Sequence, residues 1–299
     1  MLATELDSDL KRISSKNCAV SVQEQILITL NFFACGAYLR CIGDMMGLHK
    51  SSISRIVHKV CCAIARMRSR YIRMPITDEE KQYIARCFYN IAKFPNCIGA
   101  IDCTHIPIQS IGGNDGENFR NRKGVFSYNV QVVADSQMLI RNIVARWPGS
   151  THDSHIFNSS TLKGNLEDGM FDPYCLVGDS GYASKPYMFV PHPDPQTNGQ
   201  KLYNESQIRT RNVVERLFGS WKRRFPIIGT KLRLKKNRIQ PVIVATAVLH
   251  NICKKMNDIE PPETIVQLIS ELENIEEYAT AHQSDDRSRD DLIRTYFNR

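Results

Sequence analysis

The stretch Ile98-Gly-Ala-Ile-Asp102, followed after one residue by Thr104-His-Ile-Pro-Ile108, decides the fold of this chain. Its apolar, β-branched residues predict a buried strand. Asp102 stands inside that strand, where a carboxylate without a partner is costly in free energy. The strand is therefore predicted to carry an acid that has a function.

Four more strands are predicted after it. Residues 126–134 alternate in polarity, and shorter apolar runs follow at 139–145, 174–179 and 187–191. Helical patterns at 154–166, 206–224 and 239–256 flank these runs, and a loop rich in Pro, Asn and Gly is expected at 192–204. Three antiparallel strands and a fourth parallel to the first predict an α/β fold, a ribonuclease-H-like mixed five-stranded sheet with flanking helices.

The residues before the sheet are predicted to be all-helical. A short helix at 38–47, a turn with Gly47 and a second helix at 51–60 fit a helix-turn-helix, with Ser51 or Ser52 as the cap of the second helix. Ser52, Arg55 and Lys59 would then contact DNA. Plain packing of a helical hairpin is the alternative.

The chain is predicted to have three parts. Met74-Pro-Ile-Thr77 ends one helix, and Thr77 with Glu80 forms a capping box for a linking helix at 78–92, so a boundary is placed near residue 75. The parts are a helix-turn-helix-like DNA-binding region (1–75), the sheet domain with its covering helix (76–257) and an acidic C-terminal helix and tail (258–299).

Charge and cysteine content narrow the class of protein. The 299-residue chain has a formal net charge of +8, and from 209 to 238 its only acid is Glu215, which favours a polyanion as partner. The 10 cysteines form no CxxC pair, so a zinc ribbon is not indicated and reduced thiols are expected. With no signal sequence and no long apolar run, we expect a location in the nucleus and cytoplasm and no membrane association.

Three acids are predicted to form a two-metal site. Phosphodiester cleavage by two metals needs carboxylates converging on two cations. Asp102 on the first strand and Asp179 at the end of the fourth should meet across one gap of the sheet, and Glu215 lies in the middle of a helix that covers it. Asp179 could alternatively be a turn residue, and Glu215 a salt-bridge partner of a neighbouring arginine.

Asp153 is a further candidate. It follows the third strand, which should be an outer one, so it reaches the site only if its loop folds inward. It is predicted to be a fourth metal ligand or a group that orients the substrate.

Several ordered motifs resemble those of PIF/Harbinger transposases and the nucleases derived from them. They span about residues 25 to 255 and are Ile101-Asp-Cys-Thr-His105, Trp147-Pro-Gly-Ser-Thr-His-Asp-Ser154, Gly178-Asp-Ser-Gly-Tyr182, the run from Arg211 to Phe225, and Leu249-His-Asn251. The resemblance implies a DDE nuclease with Asp102, Asp179 and Glu215 as catalytic residues and two Mg²⁺ or Mn²⁺ ions as cofactors. It also implies a Myb-like DNA-binding partner protein and a homodimer.

Basic residues near these acids are expected to bind DNA phosphates, which is a sequence-blind and salt-sensitive contact. A solvated basic helix is the alternative, and Trp221 is assigned to the core rather than to base stacking. The predicted contacts are Arg120, Arg122, Lys123, Arg211, Lys222, Arg223 and Arg224.

The sequence thus predicts a metal-dependent DNA endonuclease derived from a transposase. The main alternative is a domesticated, catalytically silent DNA-binding or scaffold protein, in which the acids are relics. A ribonuclease acting on RNA–DNA hybrids is a third possibility on the same fold.

Overall fold

The computed structural model describes residues 2–11, 20–36, 38–113, 115–262 and 287–298. Its centre is a five-stranded sheet with the order β3-β2-β1-β4-β5. The strands are β1 (Cys97–Pro107), β2 (Ser127–Ala134), β3 (Ile140–Pro148), β4 (Cys175–Val177) and β5 (Met188–Phe189). β1, β2 and β3 pair antiparallel, while β4 is parallel to both β1 and β5. The predicted ribonuclease-H-like arrangement is confirmed.

β1 is long and pairs with a strand on each side. Its first half pairs with β4 only as far as Ala100, opposite Val177, whereas its pairing with β2 continues to Pro107. Gly99 leaves room for its neighbour in the sheet, since a Cβ there would come within 2.5 Å of the Val133 side chain. Beyond Ala100, β1 therefore presents an edge that β4 no longer covers.

The helices before the sheet are α1 (Leu2–Glu5), α2 (Asp7–Leu10), α3 (Val22–Cys35), α4 (Leu39–Met46), α5 (Lys50–Arg66), α6 (Arg68–Tyr71) and α7 (Asp78–Ala92). After β3 come α8 (Asp153–Asn158), α9 (Thr161–Glu167), α10 (Asn198–Arg224), α11 (Pro226–Gly229), α12 (Lys236–Lys255) and α13 (Arg287–Leu292), the last followed by a π-helical turn, Ile293–Phe297. Within these ranges, no helix is long and apolar enough to cross a membrane.

Two predicted boundaries are wrong for local reasons. α10 begins at Asn198, inside the expected loop, because Thr197 and Gln200 form a capping box there. The single helix expected at 154–166 is two helices, since Ser160 caps a new one by accepting a hydrogen bond from the Lys163 amide. The linking helix at 78–92 has the predicted bounds, with Thr77 as its N-cap.

The predicted helix, turn and second helix are present as α4 and α5, with Gly47 in the left-handed conformation at the turn. His49, rather than Ser51 or Ser52, caps α5, because its ring accepts a hydrogen bond from the Ser51 amide. Arg55 is exposed, Ser52 is half-buried, and the Lys59 ammonium donates to the Leu10 carbonyl at 2.8 Å. Contact of α5 with DNA stays a prediction.

α5 also packs against α12, so the buried core runs without a break from the N-terminal helices into the sheet domain. Arg238 of α12 donates to the Ser54 carbonyl at 3.1 Å. Buried residues on both sides of residue 75 belong to this core, and the division of the chain into domains there stays a prediction.

α12 covers the sheet as predicted, and Asn251 fastens it. The Asn251 side chain accepts a hydrogen bond from the Ile140 amide at 2.8 Å and donates to the Ile140 carbonyl at 2.7 Å. Trp221 is fully buried, so its assignment to the core is confirmed. Most of the acidic helix predicted after 258 lies outside the described residues.

Candidate metal centre

Asp102 lies on the open edge of β1, two residues beyond its last pairing with β4. Its Oδ1 accepts a hydrogen bond from the Cys103 amide at 2.7 Å, and 16% of its side chain is exposed. The strand thus holds a largely enclosed carboxylate where a ligand can enter from the side of the sheet.

Asp179 follows β4 in the turn Gly178-Asp-Ser-Gly181. Its Oδ1 accepts a hydrogen bond from the Gly181 amide at 3.0 Å, so it is the turn residue that one interpretation predicted. The turn is anchored from α10, because the Gln207 amide donates to the Gly178 carbonyl at 2.7 Å. That anchored turn directs the Asp179 carboxylate towards Asp102, and the two interpretations of Asp179 are compatible.

Asp153 is the third acid of the cluster. Its loop does fold inward, and Asp153 becomes the first residue of α8. Asn129 on β2 fixes it by donating to its Oδ1 at 2.7 Å and to the Thr151 carbonyl at 2.8 Å. One ligand oxygen each from Asp102, Asp153 and Asp179 lie within 4.8 Å of one another, which makes them a possible metal site.

Glu215 is not a member of this cluster of described residues. Its Oε1 instead forms a salt bridge with Nη2 of Arg211 at 2.7 Å, while Nη1 of the same arginine donates a hydrogen bond to Oδ2 of Asp102 at 3.0 Å. Glu215 still lies close enough for its negative charge to raise the pKa of Asp179. The salt bridge that was weighed as an alternative exists, and it connects Glu215 to the cluster.

The ionised forms of Asp102 and Asp179 are disfavoured in this site when no metal cation is bound. Burial raises the pKa of Asp102 to about 8, and the negative charge of Asp179 adds to the effect. Burial and the charge of Asp153 likewise raise the pKa of Asp179. An all-oxygen donor set with excess negative charge suits hard divalent cations such as Mg²⁺ or Mn²⁺.

Two residues beside the three aspartates were not predicted from the sequence to belong to the site. Asn129, which positions Asp153, could have been noticed as a polar residue in an apolar strand. The Tyr182 hydroxyl lies 3.5 Å from Sγ of Cys103 beside the site, and burial raises its pKa. Asp135, the residue after β2, is a turn residue, since its Oδ1 accepts hydrogen bonds from the Gln137 and Leu139 amides.

A cleft of about 490 Å³ opens onto the acids. Asp153 and Asp179 line it, together with the basic side chains Arg122 and Lys123. Nη2 of Arg122 lies 2.6 Å from Nδ1 of His152, so this arginine is held at the rim. Of the predicted phosphate contacts, Arg122 and Lys123 line this cleft. Arg211 is instead buried and pairs with Asp102 and Glu215, so the structure gives it acids rather than phosphates as partners.

The other predicted phosphate contacts lie in different surroundings. Arg120 pairs with Glu117 at 2.8 Å, and Nζ of Lys222 donates to Oγ1 of Thr104 at 2.7 Å. Arg224 turns towards the start of the acidic segment, where Nη2 donates to the Ile259 carbonyl at 3.0 Å. Arg223 is partly buried near the end of α10. These four are not brought together with Arg122 and Lys123 in the cleft.

Comparison with known proteins gives a consistent assignment. Residues 101–251 match the family described as "DDE superfamily endonuclease". The chain is 30% identical to the Homo sapiens protein named "Putative nuclease HARBI1" over 298 residues, which is 98% of this chain and 85% of that protein. It is 26% identical to the Arabidopsis thaliana "Protein ALP1-like" over 80% of this chain and 62% of that protein.

No solved structure matches the chain. The matched residues begin one position before Asp102 and end at Asn251, so they contain every acid of the site and most of the helix that covers the sheet. The chain belongs to the DDE superfamily endonucleases, among the Harbinger-derived relatives that its motifs resemble.

Proposed function

We propose that this protein is a divalent-metal-dependent DNA endonuclease derived from a transposase. The observation that carries the proposal is the convergence of Asp102, Asp153 and Asp179 within 4.8 Å at the open edge of β1. A turn, a strand and a helix N-terminus each supply one carboxylate, so the cluster depends on the tertiary fold and is not a local accident of sequence.

The residues that would hold the metal are these three aspartates, with Glu215 as the acid beside them. Two bound Mg²⁺ or Mn²⁺ ions would generate the attacking oxygen and neutralise charge on the leaving oxygen. Asn129 keeps Asp153 pointing into the cluster, and Gln207 keeps the turn that carries Asp179 in place. Such supporting hydrogen bonds fix the orientation of metal ligands.

DNA is the substrate that the surroundings favour. Arg122 and Lys123 line the same cleft as the acids and can neutralise phosphates on either side of the bond to be cut. Lys222 adds a positive charge at the end of α10. Because these contacts read phosphates, binding should weaken steeply as the salt concentration rises.

The location in the nucleus and cytoplasm, a Myb-like partner protein and a homodimer are parts of the same proposal. The Myb-like partner and the homodimer rest on the resemblance to Harbinger transposases. The separate DNA-binding protein would supply sequence selectivity, and cutting both ends of an element would require two copies of the site.

The test is cleavage by the purified protein, with and without a Myb-like partner. The substrate is DNA carrying the inverted repeats that flank its own gene, in the presence of Mn²⁺. Asp102→Asn serves as the inactive variant, and Asp168→Asn, an exposed acid after α9, is the matched control. Metal-dependent nicks in wild type and the control, absent in Asp102→Asn, support the proposal.

Two results would favour a different function. Tight, salt-sensitive DNA binding without any nick would favour the silent DNA-binding protein. Preferential cleavage of an RNA–DNA hybrid would favour the ribonuclease. Cleavage that survives in a correctly folded Asp102→Asn protein would contradict the assignment of the site.

A further inference from the structure

Arg211 bridges two acids in a way that the proposed chemistry does not explain. Only 3% of its side chain is exposed. Nη1 donates to Oδ2 of Asp102 at 3.0 Å, and Nη2 forms a salt bridge with Oε1 of Glu215 at 2.7 Å. Both terminal nitrogens of this buried cation are therefore directed at candidate metal ligands.

The two acids differ in their relation to the cluster. Asp102 belongs to the group of three aspartates, whereas Glu215 does not, although its charge acts on Asp179. The guanidinium lies between them and joins both. It thus occupies a cation position next to the three-aspartate group, and Glu215 is held on its far side.

An ordinary helix-surface pair would not need this geometry. A salt bridge between residues i and i+4, such as Arg209 with Glu205 on the same helix, lies in solvent and contributes little. The Arg211 pair instead reaches across to β1 and is almost completely enclosed. A buried guanidinium keeps its charge. It therefore balances the negative charge of the two acids for as long as no other cation takes its place.

We infer that Arg211 is a built-in placeholder for the second metal ion, so that the two metal positions fill in a fixed order. The first ion binds Asp102, Asp153 and Asp179 with no rearrangement of Arg211. The second ion binds only after Arg211 has released Glu215. This inference rests on the proposed metal-dependent function and adds an order of loading to it.

The size of the effect follows from the contacts that must break. A metal ion that must first break one hydrogen bond between charged groups binds about tenfold to a hundredfold more weakly than an ion that breaks none. We therefore expect the second Mn²⁺ ion to bind about tenfold to a hundredfold more weakly than the first in wild type without DNA. Replacing Arg211 by Met should remove most of that difference.

The experiment is a calorimetric titration of the full chain with Mn²⁺ in the absence of DNA, with electron paramagnetic resonance on the same samples. Wild type should show one tight ion and the spectrum of an isolated Mn²⁺. Arg211→Met should bind two ions of similar affinity and give the spectrum of a coupled pair. Arg209→Met, the same change at the exposed pair two residues earlier, should behave as wild type.

Glu215→Gln provides a second variant that leaves Arg211 and the three aspartates in place. It should leave the affinity of the first ion unchanged and abolish binding of the second. A weaker first ion in Glu215→Gln would overturn the inference, because Glu215 would then be a ligand of the first site.

Two equally tight ions in wild type would also overturn the inference, while leaving the proposed nuclease intact. Identical titrations of wild type and a folded Arg211→Met protein would do the same. Failure of wild type to bind any Mn²⁺ would instead refute the metal-dependent function on which the inference rests.

Discussion

Lys222 at the end of α10 is a cation that the folded protein holds at a cost in stability. Its Nζ donates to Oγ1 of Thr104 at 2.7 Å and to the His105 carbonyl at 3.2 Å. Burial nevertheless lowers its pKa to about 8, from the ordinary value of 10.5. Replacing Lys222 by Met keeps most of the volume and removes the charge.

The expected change in stability follows from the two pKa values. Below about pH 8 the lysine is protonated in both states, and above about pH 10.5 it is neutral in both. Between them the unfolded chain binds more protons, so the free energy of unfolding of wild type rises with pH relative to the Met variant. At about 1.4 kcal/mol per pKa unit, the total rise should be roughly 3 kcal/mol.

The absolute difference at neutral pH is smaller because Met cannot donate. Leaving the His105 carbonyl without this donor costs about 1–2 kcal/mol. We therefore expect Lys222→Met to be about 1–2 kcal/mol more stable than wild type at pH 7, and less stable by a similar amount near pH 10.5. Its DNA affinity should fall, and the slope of its salt dependence should decrease by about 0.9.

The assay is guanidinium chloride unfolding of both proteins at several pH values between about 7 and 10.5. Lys201→Met, an exposed lysine on the same helix, is the control and should show no such trend. A difference between Lys222→Met and wild type that stays constant across this pH range would refute the reasoning, because the lysine would then titrate alike in both states.

Three further outcomes are expected. Asp102→Asn should melt at a higher temperature than wild type near pH 7 without divalent metal, because burial raises the pKa of Asp102 and disfavours its ionised form. Mn²⁺ should raise the melting temperature of wild type but not that of Asp102→Asn. Asn129→Ala should weaken Mn²⁺ affinity by about tenfold to a hundredfold in calorimetry, since Asp153 loses its supporting donor. Asn251→Ala should lower the free energy of unfolding by about 2–4 kcal/mol in denaturant titrations, because the Ile140 amide and carbonyl lose their partner.

A different result would contradict each of these three predictions. An Asp102→Asn protein that is less stable than wild type without metal would show that its ionised form is not disfavoured by the fold. Unchanged Mn²⁺ affinity in Asn129→Ala would remove Asp153 from the ligand set. An Asn251→Ala protein of wild-type stability would mean that water replaces the side chain at the junction of α12 and β3.

The elements that could be predicted from sequence are those with strong local signals. The alternation in residues 126–134 and the apolar run at 98–108 predict β2 and β1, because side chains on a strand point to opposite faces in turn. α7 was predicted to the residue, since Thr77 is a good N-cap in front of an amphipathic pattern. α10 was predicted too short, because its first two turns carry polar residues that also suit a loop.

The candidate site was predicted only in part. Asp102 and Asp179 were expected to meet, because adjacent parallel strands place their C-terminal ends at the same edge of the sheet. Asp153 was ranked below Glu215, since a residue after an outer strand has no local reason to point inward. Its position depends on Asn129, a residue 24 positions away in the chain.

By itself, the sequence determined the order of the strands, the identity of the acids and the family, because hydrophobic periodicity and motif spacing are local properties of the chain. Only the tertiary structure decided which carboxylates share one cluster and that Arg211 lies between Asp102 and Glu215. It also decided that Arg224 faces the acidic segment rather than the cleft. The physical reason is that the energies of buried charges depend on partners brought together from distant parts of the chain, which no local pattern encodes.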